Sequence, residues 1–253
     1  MVTRRDELIS FLDELLASPG RPDYGPNGLQ VPGAAKVDLV VTGVSAHHEL
    51  FEQAAVAGAQ LVLCHHGIFW GEEAGPITPQ LKARLKVLFD HDMTLAAYHL
   101  PLDAHPEVGN NALICAGLGL QRGESFGVTK GLPIGWVGVA AQPLTIAELV
   151  ERTTALFGSE PLVFDAGPEA IRRVGIVSGG ASAMLEDAVA LGLDAFVTGE
   201  PTEHVMADAR EGGIHFIAGG HYASETFGIR KLGELLAERF GVEHRFIEIP
   251  NPI

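Results

Sequence analysis

Two imidazoles stand side by side in this chain, His65 and His66, closing the apolar run Leu61–Cys64 and directly preceding Gly67. Successive side chains of a strand point to opposite faces, so both rings can serve one site only if the backbone turns where the strand ends. Gly67 permits such a turn. Strand carboxyl ends are also where ligands gather in open α/β sheets. A metal site is one reading of the doublet; a pair of strand-end histidines hydrogen-bonded to nearby backbone is the other.

Further donors follow. His99-Leu100-Pro101-Leu102-Asp103-Ala104-His105 places imidazole and carboxylate after the next apolar strand, although Asp103 could simply cap a turn. Gly219-Gly220-His221-Tyr222-Ala223-Ser224-Glu225 follows the apolar run Ile214–Ala218 and opens a helix expected to reach Phe240. His221 and Glu225 share a face if that helix has begun, and Glu225 in a first turn also suits the helix dipole without any ligand. Three imidazoles and two carboxylates (His65, His66, Asp103, His221, Glu225) exceed what one tetrahedral ion can use while keeping an open position. Two ions sharing a bridging carboxylate, for which Glu225 is the choice, would use all five. This donor set suits zinc, iron, manganese, nickel or cobalt.

The elements that must position these groups alternate. A helix with apolar face Leu8, Phe11, Leu12, Leu15 and Leu16 is expected after a Thr3/Asp6 capping signal. A Pro- and Gly-rich ordered loop spans 19–33. Strands at 37–44, 61–64 and 93–98 alternate with helices at 49–57 and 81–89, followed by a helix at 111–116. A hairpin is expected over 126–141. Val37–His66 and Ile171–Glu200 align at a constant offset, bringing Glu52, Ala54 and Gly58 onto Glu186, Ala188 and Gly192, and His66 onto Glu200. The expected fold is therefore α/β: two related domains with mostly parallel sheets, joined by a β-hairpin region. Residues 1–125 would carry His65, His66 and Asp103. Residues 126–253 would carry His221 and Glu225, with the C-terminal part returning to the first domain and the metal site at the interface.

Composition narrows the class. With 47% hydrophobic residues, a positive mean hydropathy and 253 residues, the chain can bury large cores. A formal charge of -15 disfavours nucleic acid and anionic membranes as partners and leaves a small molecule as the expected substrate. Two cysteines, Cys64 and Cys115, lie in apolar stretches and imply a reducing compartment; with no signal-peptide pattern at Thr3–Asp6, a cytoplasmic location is expected. His47-His48 precedes a helix without a partnered carboxylate pattern and reads as a solvated helix start. His204 and His105 are ambiguous. Ser178-Gly179-Gly180 lacks the full nucleophile-elbow pattern, and no glycine-lysine phosphate cradle occurs.

Four segments together, Tyr24-Gly25-Pro26-Asn27-Gly28-Leu29-Gln30-Val31, Cys64-His65-His66-Gly67-Ile68-Phe69-Trp70, His99-Leu100-Pro101-Leu102-Asp103 and Gly220-His221-Tyr222-Ala223-Ser224-Glu225, resemble the Nif-three-like dinuclear metal-centre proteins. The match is ordered, spans nearly the whole chain and fits the family's short form. The resemblance implies a two-domain α/β subunit, a homohexameric ring and two divalent ions per subunit. It also implies that Glu225 touches both ions, that His66 and Asp103 complete one, and that His65 and His221 complete the other. His99 enters as an extra ligand or an orienting partner. Many members are named GTP cyclohydrolase I type 2 homologues, and Tyr222 departs from relatives with a second histidine there. The expected activity is a metal-dependent hydrolase, cyclohydrolase-like or phosphatase-like. The alternative is a non-catalytic metal-binding ring that binds a partner or stores metal.

Overall fold

A computed structural model describes residues 3–71 and 75–253. It divides into two compact units, Met1–Leu102 with Gly228–Pro250, and Asp103–Phe227 with Asn251–Ile253. Asp103 falls in the second of these units, His65 and His66 in the first.

The first unit is built on a five-stranded sheet in the order Glu243–Phe246, Leu39–Ser45, Leu61–His66, Thr94–Ala97, Gly28–Val31. Its first three pairings are parallel and the last antiparallel. Leu61–Cys64 is buried at every position, as a strand covered on both faces requires. Helix His48–Ala57 lies against the sheet so closely that a Cβ on Gly43 would meet the Leu50 side chain. Phe51, Val62, Leu88 and Leu95 belong to the resulting core.

The second unit has a six-stranded sheet ordered Gln121–Thr129, Leu132–Leu144, Ile171–Ile176, Ala195–Thr198, His215–Ala218, Leu162–Phe164. The two central pairings are parallel and the outer ones antiparallel. The expected hairpin is therefore present. Its two connecting residues, Lys130 and Gly131, both have positive φ (49° and 78°), the geometry that matches a two-residue turn to twisted strands. Helix Ile146–Phe157 opens with a complete capping box between Thr145 and Glu148. The offset alignment corresponds to real elements, since strand, helix, glycine and strand recur in both units. Gly58 and Gly192 hold positive φ (78° and 62°) at equivalent helix ends.

Three local expectations change. Thr3 does not cap the first helix. It lies in the short strand Thr3–Arg4, where its hydroxyl donates to Phe240 O (3.3 Å), and Arg5–Leu16 starts without a side-chain cap. The strand expected to stop at Cys64 continues through His66, because His66 remains in register with Ser45. Finally, the helix expected from His221 to Phe240 is broken at Glu225 into His221–Ser224 and Thr226–Phe240, since Glu225 has φ −110° and ψ 8°. No helix among the described residues is long and apolar enough to cross a membrane.

Candidate metal centre

In the first unit the histidine doublet sits at the end of an interior strand, with His65 buried completely. The ring centroids of His65 and His66 are 4.7 Å apart, and His99 lies 5.1 Å from the first and 5.4 Å from the second. One ring nitrogen from each of the three falls within 4.8 Å of the others. The Nδ1 atoms face oxygen: the Tyr98 carbonyl at 2.9 Å for His65, the Ser45 hydroxyl at 3.2 Å for His66, and the Asp23 carboxylate at 2.7 Å for His99. A carbonyl and a carboxylate only accept, so Nδ1 carries the proton in His65 and His99, and a neutral ring there presents an Nε2 lone pair.

Gly67 is needed for a different reason from the one the sequence suggested. It does not hold a positive φ. Instead, a Cβ there would run into the Gln30 side chain, whose amide donates to Pro26 O (2.8 Å) and accepts from Ile68 N (2.9 Å). Close approach of the hydrogen-bonded Gln30 side chain on strand Gly28–Val31, not a left-handed backbone, is what favours glycine here.

The donors of the second unit are Asp103, His221 and Glu225. Asp103 ends the short helix Leu100–Asp103 and is 4% exposed. Its Oδ1 accepts from Asn110 Nδ2 (2.8 Å) and from the Ser178 hydroxyl (3.2 Å). Asn111 fixes that corner by accepting from Ser178 N (2.6 Å) and donating to Ile134 O (2.8 Å). Although Glu225 lies at a helix break, its Oε2 is 3.1 Å from His221 Nε2 and the residue is 3% exposed. His221 Nδ1 is hydrogen-bonded to Glu200. Burial alone would lower the His221 pKa, but the hydrogen bonds and charges of Glu225 and Glu200 outweigh it and carry the value up to about 9.

The second unit is shaped around these groups. At Gly179 (φ +67°) a Cβ would collide with the Glu225 carboxylate and come within 3.2 Å of His221 Nε2. The Gly179 N–H donates to Ser224 Oγ (3.0 Å), and that hydroxyl donates to His221 O (2.8 Å). Imidazoles held through Nδ1 in one unit, and in the other a buried carboxylate beside an imidazole in a space that a Cβ at Gly179 would invade, are donor sets that fit divalent transition ions.

Four other histidines singled out in the sequence have partners of their own. His47 Nδ1 accepts from Leu50 N (3.4 Å) as a helix cap, and His48 pairs with Glu52 at 3.4 Å, in keeping with a solvated helix start. His105 Nδ1 accepts from Glu107 N and Val108 N. His204 is largely exposed beside Asp208. Cys64 is fully buried, and burial pushes its thiol pKa up. Sequence reasoning missed Asp23, Asn110, Asn111 and Glu200; for Glu200 the internal alignment onto His66 was the available signal.

A family model described as Duf34/NIF3 (NGG1p interacting factor 3) matches residues 3–252. The chain belongs to the DUF34/NIF3 family. Among relatives, a Pseudomonas aeruginosa protein named GTP cyclohydrolase 1 type 2 homolog is 42% identical over 245 residues, covering 97% of each chain. A solved structure described as protein ybgI, of unknown function, superposes with a TM-score of 0.94 at 41% identity, covering 99% of this chain and all of the other. TTHA1606 from Thermus thermophilus gives 0.89 at 35% identity, with 99% and 100% covered. The NIF3 fold is thus shared along the whole chain, as the four ordered motifs implied.

Proposed function

We propose that this NIF3 protein binds two divalent cations per subunit through His65, His66, Asp103, His221 and Glu225, and uses them to hydrolyse a small-molecule substrate. By the family resemblance Glu225 would serve both ions, and His65, His66, Asp103 and His221 would complete their donor sets. The observation that carries the reading is the buried Glu225 carboxylate facing His221, in a space that Gly179 keeps clear of a side chain. The three imidazoles of the first unit support it independently.

A cation pair held in this way would polarise the scissile centre of a substrate and bring a water pKa toward neutrality. The chain's own contribution is orientation and dryness. Tyr98 O and Asp23 set the tautomers of His65 and His99. Asn110 and Ser178 hold Asp103 in one orientation, so little reorganisation is left for the moment of reaction. With no glycine-lysine phosphate cradle in the sequence, any phosphate on the substrate depends on the cations themselves. A cyclic amidine-like C–N centre and a phosphoester are the two substrate classes such chemistry serves. The family name carried by the Pseudomonas relative favours the first.

The test combines metal analysis with a hydrolase screen on purified protein loaded in turn with Zn, Mn, Co, Ni and Fe(II). Two ions per chain with turnover are expected, both lost in Glu225→Ala and both retained in a His47→Gln/His48→Gln double variant. Two ions with no turnover of any substrate would favour a metal-storing or partner-binding ring instead. Fewer than two ions in every preparation would sink the dinuclear reading.

A further inference from the structure

The Tyr24–Val31 motif of the first unit supplies none of the five donors, yet its first residues, Tyr24 and Asn27, lie against His99. Asp23, immediately before it, has a side chain only 1% exposed. Both its oxygens are fully engaged. Oδ1 accepts from Tyr24 N (2.6 Å) and His99 Nδ1 (2.7 Å), while Oδ2 accepts from Asn27 Nδ2 (2.8 Å) and Leu100 N (2.9 Å). Asn27 Oδ1 in turn accepts from His99 N (2.8 Å). His99 is therefore clamped twice, at its ring by Asp23 and at its backbone by Asn27. A buried carboxylate is costly unless hydrogen-bonded, and four donors meet that cost here. Burial would raise the Asp23 pKa, but the hydrogen bonds from His99, Asn27 and Tyr24 hold it below its usual value.

We propose that Asp23 is a positioning residue of the metal centre: it fixes His99 with Nδ1 protonated, so that His99 Nε2 faces the His65–His66 pair and adds a sixth donor to the five named above. This rests on the metal-centre reading above. Loop anchoring alone would need only the bonds from Asp23 and Asn27 to backbone. It would not need a carboxylate on the one ring nitrogen whose protonation decides which nitrogen faces the cluster. The same arrangement recurs at His65, where the Tyr98 carbonyl accepts from Nδ1. Two of three neighbouring rings are thereby set in one tautomer by acceptors that cannot donate, which is how a protein prepares imidazoles for metal.

The experiment uses the full chain stripped of metal and labelled with nitrogen-15 at histidine. Long-range proton–nitrogen spectra, with His99→Gln giving the assignment, should show wild-type His99 with an unprotonated Nε2. Asp23→Asn, whose amide can donate to Nδ1, should shift His99 toward the opposite tautomer while the backbone spectrum stays folded. Cobalt affinity, measured by chelator competition, should then fall by about 10- to 100-fold in Asp23→Asn and in His99→Gln, with little further loss in the double variant. Wild-type His99 protonated at Nε2, or an unchanged tautomer in Asp23→Asn, overturns the positioning role. Unchanged cobalt affinity in His99→Gln overturns the donor role. Wild-type protein that takes up no cobalt sinks the metal-centre reading itself, and the tautomer measurement, made without metal, separates that failure from a failure at Asp23.

Discussion

His221 Nε2 and Glu225 Oε2 stand 3.1 Å apart, although Glu225 itself sits at a helix break. With Glu200 on the other ring nitrogen, the imidazole lies between two carboxylates and its pKa reaches about 9. In metal-free protein at neutral pH the ring is thus protonated, and its charge balances the buried Glu225.

That charge makes the metal-free fold pH-dependent. A folded pKa of about 9 against an ordinary 6.5 means that the His221 contribution is fully present below pH 6.5 and is lost as pH rises through 9. Because the ring is partly exposed, solvent screening reduces the effect to on the order of 1 kcal/mol. Urea denaturation of metal-free protein between pH 6 and 9.5 should show this decline, and His221→Gln should abolish it. Cation affinity should run the opposite way, strengthening with pH over the same window, because binding must expel the proton. Calorimetry in buffers of different ionisation enthalpy would register that release.

Gly179 offers a second test, because it combines a left-handed backbone (φ +67°) with a collision between any Cβ and the Glu225 carboxylate. Gly192 has a similar φ (+62°) but open space around the position. Gly179→Ala and Gly192→Ala should each cost about 1 kcal/mol of stability from backbone conformation. Only Gly179→Ala should also weaken cation uptake, by tenfold or more, since only there must a donor carboxylate move. Equal metal affinity in the two variants would mean that Glu225 is not a ligand.

The contrast between these glycines also shows what one sequence makes legible. Gly58 and Gly192 were readable as helix stops because a stop is a local event, and the strand-helix-strand alternation followed from periodicity over short windows. The imidazoles and carboxylates of the candidate centre were visible by type and by their place after apolar runs. Asp23 was not, because it pairs with His99 across 76 positions and sits among prolines and glycines, where an aspartate reads as a turn former. Ser178 carries no elbow motif that would mark it in sequence, yet its hydroxyl donates to Asp103 from 75 positions away. Gly67 beside the doublet suggests backbone freedom. What decides it is the side chain of Gln30, which lies on a different strand, well upstream in the chain.

Asn110 provides the last prediction. It is fully buried, and its amide donates to Asp103 Oδ1 at 2.8 Å. Replacing it with leucine keeps the branched shape but leaves a buried carboxylate one donor short, which costs roughly 2 to 3 kcal/mol for a charged acceptor. If Asp103 is a cation ligand, a saturating divalent ion compensates that carboxylate, and the deficit in Asn110→Leu should shrink when zinc or cobalt is present. Asn111→Leu is the comparison: its side chain serves Ser178 N and two backbone carbonyls, those of Asp103 and Ile134, not the Asp103 carboxylate. Its deficit should be the same with and without the ion. Chemical denaturation of both variants in each state decides the matter, and an Asn110→Leu deficit indifferent to the ion would remove Asp103 from the ligand set.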